Sequence, residues 1–339
     1  MSVYIIAEAG VNHNGDIDLA KKLVKIAKDA GCDCIKFQTF SADRIVTKNA
    51  KKAEYQAKNT KNNDSQYEML KKLELSYKQF KELKNYCDEI GIDFLSTPFD
   101  EEAVDLLESI GVKAYKIPSG EITNKPLLQY IGKKNKKILI STGMSTLEEV
   151  QKAISWIEET GNKDIVLFHC TSNYPAPFES VNMKAMMTLK EVFGYPIGYS
   201  DHTKGIEISL MSVAYGATII EKHFTYDKMA DGPDHKASLD SDELREMVEA
   251  IRHIEVAKGD GEKKPTETEL STREVARKSL VWSKDMKIGD IVQQEDLCCK
   301  RPGTGVQPEN RELFIGKRII KNCTEDTLVS WYDIDGEEK

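Results

Sequence analysis

Eight short apolar runs recur along the first two thirds of the chain, and each closes on a polar side chain. Residues 4–8 close on Glu8, 34–38 on Gln38, 94–97 on Thr97 and 114–119 on Ser119; residues 138–141 close on Ser141, 166–169 on His169, 197–202 on His202 and 219–223 on His223. Between the runs, apolar positions fall every three to four residues, as in Leu19, Leu23, Ile26 and Ala27, or Val150, Ile154 and Ile157. The first pattern predicts buried strands and the second amphipathic helices. Strand–helix alternation sustained over eight repeats predicts an α/β fold, a (β/α)8 TIM barrel. In such a barrel the C-terminal strand ends converge on one mouth, where barrel enzymes carry out their chemistry.

Two stretches break the rhythm. Residues 41–74 precede the helix expected from about Tyr77 and are rich in Lys, Asn and Asp. A connection of that length is either a functional lid or a solvated insertion. Residues 224–238 are again loop-like, ahead of an amphipathic helix over 240–258 with Ser241 as its expected N-cap. Glycines and a proline over 259–266 mark a tether, and from Ser279 the pattern turns to short strands over 279–282, 291–293, 313–315 and 328–329. The expected organisation is a catalytic barrel over 1–258, a linker over 259–278 and a small β-rich domain over 279–339. A unit of about 60 residues buries little core, so it is expected to lean on the barrel or on a second subunit.

Composition sharpens this in a few places. The chain has 339 residues, more than the roughly 250 of a barrel, which agrees with two domains. Lys+Arg 48 against Asp+Glu 56 leaves a net charge of −8. That balance argues against a general nucleic-acid binder but leaves room for a local anion pocket. The chain enters a strand at once, so no signal peptide is expected, and no apolar run approaches the roughly 20 residues of a membrane span. Seven cysteines without a CxxC pair read as reduced thiols of a cytoplasmic protein, and nothing near Cys170 marks it as an activated nucleophile.

The strand-end residues carry the chemistry. His202 and His223 close neighbouring strands of the expected barrel, and two imidazoles there suit a divalent metal with open positions for Lewis-acid work. Glu221 lies two residues before His223 and faces the same side. Lys36 and Lys116 are single lysines inside apolar strands, open to an imine role or to an anion clamp. The hydroxyls of Thr97, Ser119, Ser141 and Ser200 favour the clamp, for a phosphate or carboxylate. Glu8, Gln38, Tyr174 and Asp234 suit the hydroxyls of a sugar-like substrate, and Asn12 and His13 either join them or cap the next helix.

These residues stand in motifs that resemble the sialic acid synthase family across nearly the whole chain. Among them are Ile6-Ala-Glu-Ala-Gly-Val-Asn-His-Asn-Gly15, Lys36-Phe-Gln-Thr39, Leu95-Ser-Thr-Pro-Phe99, Tyr115-Lys-Ile-Pro-Ser-Gly-Glu121, Gly198-Tyr-Ser-Asp-His202, Glu221-Lys-His-Phe-Thr225 and Gly232-Pro-Asp-His235. The C-terminal Lys300-Arg-Pro-Gly-Thr-Gly305 and Ile315-Gly-Lys317 resemble the SAF, or antifreeze-like, β-clip domain.

The resemblance implies condensation of phosphoenolpyruvate with an N-acylmannosamine-type sugar to a nine-carbon α-keto acid sugar. N-acetylneuraminate is the first product expected and N,N'-diacetyllegionaminate, from 2,4-diacetamido-2,4,6-trideoxymannose, the alternative. It also implies a domain-swapped homodimer, without nucleic-acid or membrane partners, and a divalent metal on His202 and His223: manganese first, then magnesium or cobalt. Phosphoenolpyruvate falls to Lys36, Thr97, Lys116, Ser119, Ser141 and Ser200, and the sugar to Glu8, Gln38, Tyr174, Asp234 and the partner's Arg301. Glu8, Lys36, Lys116, Glu121 and Glu221 are the expected catalytic groups, with Glu121 or Glu221 handling protons. One branch of the family carries Asn where this chain has Ser172, so that contact is not carried over. A Schiff-base barrel aldolase and a non-catalytic SAF-bearing binding protein are the readings outside the family.

Overall fold

Period-two alternation sorts the strand side chains of the first unit into an inner and an outer set. A computed structural model of the chain describes residues 2–60 and 64–336. It divides into one compact unit ending at Gly259 and a second beginning at Asp260. The strands of the first unit are β1 (Tyr4–Gly10), β2 (Cys34–Thr39), β3 (Asp93–Pro98), β4 (Ala114–Ile117), β5 (Lys137–Ser141), β6 (Ile165–Cys170), β7 (Ile197–Asp201) and β8 (Ile219–His223). The hydrogen-bonded order is β3-β2-β1-β8-β7-β6-β5-β4, every recorded pairing among them is parallel, and β3 lies beside β4. The order therefore closes on itself as the expected barrel.

Inside, Ile6, Cys34, Leu95, Leu139, Val166 and Phe168 form an apolar plug. Outside, Ile5, Ile35, Tyr115, Ile138, Leu167, Tyr199 and Ile220 pack with the helices in the main core. The inner positions nearest the C-terminal strand ends are the polar ones: Glu8, Lys36, Thr97, Lys116, Ser141, Ser200 and Glu221, all buried. The barrel is thus dry at its base and charged at its mouth.

Helix starts follow local capping chemistry. Thr146 and Glu149 form a reciprocal capping box at Leu147–Glu158. At the helix Ser241–Ala257 the cap is Asp240, accepting from the backbone N–H of Asp242 and Glu243, and the expected cap Ser241 is the first helical residue. A carboxylate is the better acceptor at the positive end of a helix.

The 41–74 stretch, of which 61–63 fall outside the described residues, folds into three short helices, Ala42–Ile45, Glu54–Thr60 and Gln66–Leu73. Val11, Phe40, Met69 and Leu73 form a small apolar cluster that ties it to the loops after β1 and β2.

One ion pair faces outward between β7 and β8. Lys222 Nζ stands 2.9 Å from Asp201 Oδ2 and donates to the Thr203 carbonyl at 2.6 Å, while Ser209 and Thr203 donate to the carboxylate. Burial lowers the lysine's pKa against the pull of Asp201. The pair ties together the strand positions just before His202 and His223, and loss of either partner would strand a buried charge at a cost of about 3–5 kcal/mol.

In the second unit β9 (Ser279–Trp282) pairs antiparallel with β10 (Leu297–Lys300). The expected strand segments at 291–293 and 328–329 contribute isolated bridges, Ile291 with Arg318 and Leu328 with Val281. The segment expected as a strand at 313–315 instead ends a 3-10 turn, Pro308–Leu313, and the stretch expected as linker contains the helix Glu267–Ala276. Trp282 is fully buried among Leu280, Met286, Val292, Leu297 and Phe314, and its indole N–H donates to Asp333 at 3.2 Å. A large aromatic with a satisfied polar end gives a small unit much of its core. Residues 337–339, expected at the end of this domain, lie outside the described residues. Among the described residues no helix is long and apolar enough to cross a membrane.

Candidate active site

Two glutamates hold the mouth of the barrel together. Lys36 Nζ donates to Glu8 Oε1 at 2.6 Å and to Thr97 Oγ1 at 3.3 Å, and stands 3.7 Å from Glu221 Oε1. Lys116 Nζ donates to Ser141 Oγ at 2.6 Å and to Glu221 Oε1 at 3.2 Å, and lies 4.6 Å from the centre of the Phe168 ring. Ser200 Oγ donates to the same Glu221 oxygen at 3.1 Å. Glu8, Lys36, Lys116 and Glu221 are each no more than 3 % exposed. Two ammonium groups and two carboxylates balance one another at this depth, which is how buried charge is tolerated. Among the described residues Glu221 Oε2 is buried without a hydrogen-bond donor.

Burial alone would raise the Glu8 carboxyl pKa, but the His223 ring and the Lys36 ammonium overcome it and hold the group well below the usual carboxylate range. For Lys36 burial works the other way, and Glu221 and Glu8 outweigh it to keep the ammonium's pKa above its ordinary value. Lys36 is therefore a fixed cation at neutral pH, suited to an anion and unsuited to imine formation, which needs a neutral amine.

The histidines stand on the next rung. His202 Nδ1 donates to the Thr171 carbonyl at 2.7 Å, which turns Nε2 toward Ser200 Oγ at 3.3 Å. Burial and the neighbouring His223 push the His202 pKa down to about 4, so its ring is neutral at physiological pH. His223 Nε2 lies 3.2 Å from Glu8 Oε2, and the two imidazole centres are 5.8 Å apart. A neutral imidazole with its far nitrogen fixed by a carbonyl, a second imidazole and a carboxylate beside it form a donor set that fits a divalent ion. Among the described residues no group of three or more His, Cys, Asp or Glu side chains stands close enough to hold one alone. Two protein ligands would leave positions for substrate and water.

Beyond the histidines the wall is aromatic. The Tyr174 ring centre is 4.3 Å from that of His202 and 5.8 Å from that of His223. Asp234 is 8 % exposed; burial and Glu8 raise its carboxyl pKa, and His223 and Lys36 oppose them, which places it at the same mouth. Gln38 Nε2 donates to Glu8 Oε1 at 3.3 Å.

The remaining sequence candidates fall elsewhere. Ser119 Oγ accepts from the Gly143 N–H at 2.9 Å and touches Cys170 Sγ at 3.2 Å, on the β4–β6 side of the mouth. Glu121 accepts from Asn124 at 2.7 Å in the turn after β4, whereas Glu221 sits between the lysines. His169, expected to close its strand into the mouth, is followed by one more strand residue; Cys170 faces Ser119, and His169 packs by Tyr199 with Nε2 against the Val181 carbonyl at 2.7 Å. Asn12 donates to the Phe224 carbonyl and to Ser238 and so knits the loops after β1 and β8, while His13 accepts from the Gly15 N–H within the loop after β1. Arg301, in the second unit, donates from Nε to the Ala276 carbonyl at 3.0 Å.

Two glycines shape the site without having been singled out as site residues. At Gly10, with φ of 53°, a Cβ would stand 3.2 Å from His223 Cε1; at Gly143 it would meet Ser172 Oγ at 2.3 Å and Ser119 Oγ at 2.8 Å. Gly10 lies within the first motif quoted above and Gly143 two residues after the strand-end Ser141, and that position was the available signal.

A charged, anion-ready barrel mouth beside a divalent-metal donor set defines a class: a barrel enzyme that brings an anionic substrate to a polarised partner. The chain matches the NeuB family model over residues 23–263 and the SAF domain model over residues 277–335. It is 53 % identical over 327 residues to the N,N'-diacetyllegionaminic acid synthase of Campylobacter jejuni, covering 96 % of this chain and 98 % of that one. It is 49 % identical to the enzyme of the same name from Legionella pneumophila, covering 99 % and 95 %. Among solved structures, the N-acetylneuraminic acid (sialic acid) synthetase of Leptospira borgpetersenii, in complex with citrate, is similar with a TM-score of 0.71 at 35 % identity, covering 80 % of this chain and 90 % of that one. The chain belongs to the NeuB family, and it is a phosphoenolpyruvate-dependent synthase of nonulosonic acids.

Proposed function

We propose that this synthase condenses phosphoenolpyruvate with 2,4-diacetamido-2,4,6-trideoxymannose to give N,N'-diacetyllegionaminate and phosphate. The observation that carries the acceptor is the near-full-length identity of about half to two enzymes bearing that product's name. N-acetylneuraminate, the first product expected from the sequence, gives way to the alternative on this ground. Cytoplasm is the proposed compartment, in keeping with seven free thiols.

The mouth supports a division of labour. Lys36, Lys116, Thr97, Ser141, Ser119 and Ser200 bind the carboxylate and phosphate of phosphoenolpyruvate, which competes with Glu221 for the two ammonium groups. Glu8, Gln38, Tyr174 and Asp234 orient the open-chain sugar with its aldehyde at the histidines. His202 and His223 would hold a divalent ion, manganese in the first instance, which would supply Lewis-acid polarisation of that aldehyde. The C2=C3 π pair of the enol phosphate then forms the bond from C3 to the aldehyde carbon, the C=O π bond opens, its oxygen takes a proton from water to become a hydroxyl, and C2 is left as an oxocarbenium. Water adds to the oxocarbenium at C2, and the unpartnered Glu221 Oε2 is placed to take its proton before phosphate leaves.

Mass spectrometry of products from a panel of acceptors with phosphoenolpyruvate tests this reading. The diacetamido sugar is expected to give the highest kcat/KM, and a clear preference for N-acetylmannosamine would overturn the acceptor assignment. The working unit is proposed to be a domain-swapped homodimer whose partner subunit supplies Arg301 to the sugar's acyl oxygen. Mixing His223→Ala with Arg301→Ala chains is expected to restore one intact composite site per heterodimer. Proven subunit exchange without recovered activity would contradict the trans arrangement.

A further inference from the structure

The helix Glu54–Thr60, inside the charged 41–74 insertion, is drawn to the acceptor side of the mouth by two contacts. The Tyr55 ring lies 5.1 Å from that of Tyr174, tilted by 32°, and Asn59 Nδ2 donates at 2.6 Å to the carbonyl of Pro233, the residue before Asp234. Burial, with the nearby Asp234 carboxylate, raises the Tyr55 hydroxyl pKa. His202, Tyr174 and Tyr55 therefore form a run of adjacent, mutually tilted rings.

The lysines are engaged with Glu8, Thr97, Ser141 and Glu221, whereas both imidazoles adjoin Tyr174, so a sugar with its aldehyde at the imidazoles has the aromatic wall for its far end. We propose that Tyr55 is a specificity-determining residue, whose ring face receives the C4–C6 end of the acceptor. The proposal rests on the acceptor reading above. The two candidate acceptors differ at that end: in the diacetamido sugar an acetamido group replaces the C4 hydroxyl and a methyl replaces the C6 hydroxymethyl. The C6 methyl and the methyl of the C4 acetamido group are apolar ends that an aromatic face covers better than it covers hydroxyls. An apolar contact of this size discriminates by about 10–200-fold.

The test is kcat/KM for both acceptors, and KM for phosphoenolpyruvate, in the metal-loaded full-length enzyme as wild type, Tyr55→Ala and Tyr55→Phe. Tyr55→Ala is expected to lower the ratio of efficiencies, diacetamido sugar over N-acetylmannosamine, by about tenfold or more with the KM for phosphoenolpyruvate unchanged. Tyr55→Phe keeps the ring and is expected to keep the ratio. An unchanged ratio in Tyr55→Ala overturns the proposal, as does an equal loss on both sugars. The wild-type ratio judges the acceptor reading separately: wild type favouring N-acetylmannosamine contradicts that reading, and Tyr55 still stands or falls by whether its removal shifts the ratio.

Discussion

Lys116→Met is expected to lower kcat/KM for phosphoenolpyruvate by about 10²–10³-fold, the loss typical of deleting one preorganised group that meets transition-state charge in a dry site. Methionine keeps the length and apolar stem, and Phe168 still has a partner to pack on, so the effect reports charge rather than space. Ser141 would lose its ammonium donor, and Glu221 would keep only Ser200 and the more distant Lys36. The KM for the acceptor should move far less. Sodium borohydride with substrate should trap no adduct on Lys36, whose ammonium Glu221 and Glu8 hold charged, nor on Lys116, whose Nζ is engaged by Ser141 and Glu221. A substrate-dependent mass increase at either lysine after reduction would turn the reading to a Schiff-base aldolase.

His202→Ala is the second large effect: turnover is expected to vanish and divalent-metal affinity, measured by calorimetry on the stripped protein, to fall by at least about tenfold. The fold should survive, because His202 stands just beyond β7, whose last residue Asp201 is tied to β8 by Lys222. The thermal midpoint and the circular dichroism spectrum check that separately from activity. Full turnover of wild-type enzyme stripped of metal and held in excess chelator would remove the Lewis-acid role altogether.

What was readable in the chain follows from period and position. Glu8, Lys36, Thr97, Lys116, Ser141, Ser200 and Glu221 could be gathered into one mouth because inner-facing residues at C-terminal strand ends must meet once eight strands close. His169 stays out of the mouth by the same rule: Val166 and Phe168 face inward, so alternation turns His169 outward and Cys170 inward. Lys222 and Asp201 read as parts of two histidine motifs, and only their outward facing reveals them as a pair. Tyr55 had no such signal, since it stands in a polar insertion without periodicity and its partners, Tyr174 and the Asp234 loop, are distant in the chain. Element ends were misjudged in both units: at Asp240 of the first, where a carboxylate one residue earlier takes the cap, and at 313–315 of the second, where a 3-10 turn outweighs strand propensity.

The central claim is that this mouth joins intact phosphoenolpyruvate to a sugar aldehyde and then lets water attack C2. Phosphoenolpyruvate isotopically labelled at the oxygen bridging C2 and phosphorus tests it most directly, with the diacetamido sugar as acceptor and mass spectrometry of the released phosphate. If water adds at C2 and the C2–O bond breaks, the account predicts that the label leaves with phosphate, one labelled phosphate per nonulosonic acid formed. Label retained in the keto acid, or product formed from pyruvate with no phosphate released, would contradict it.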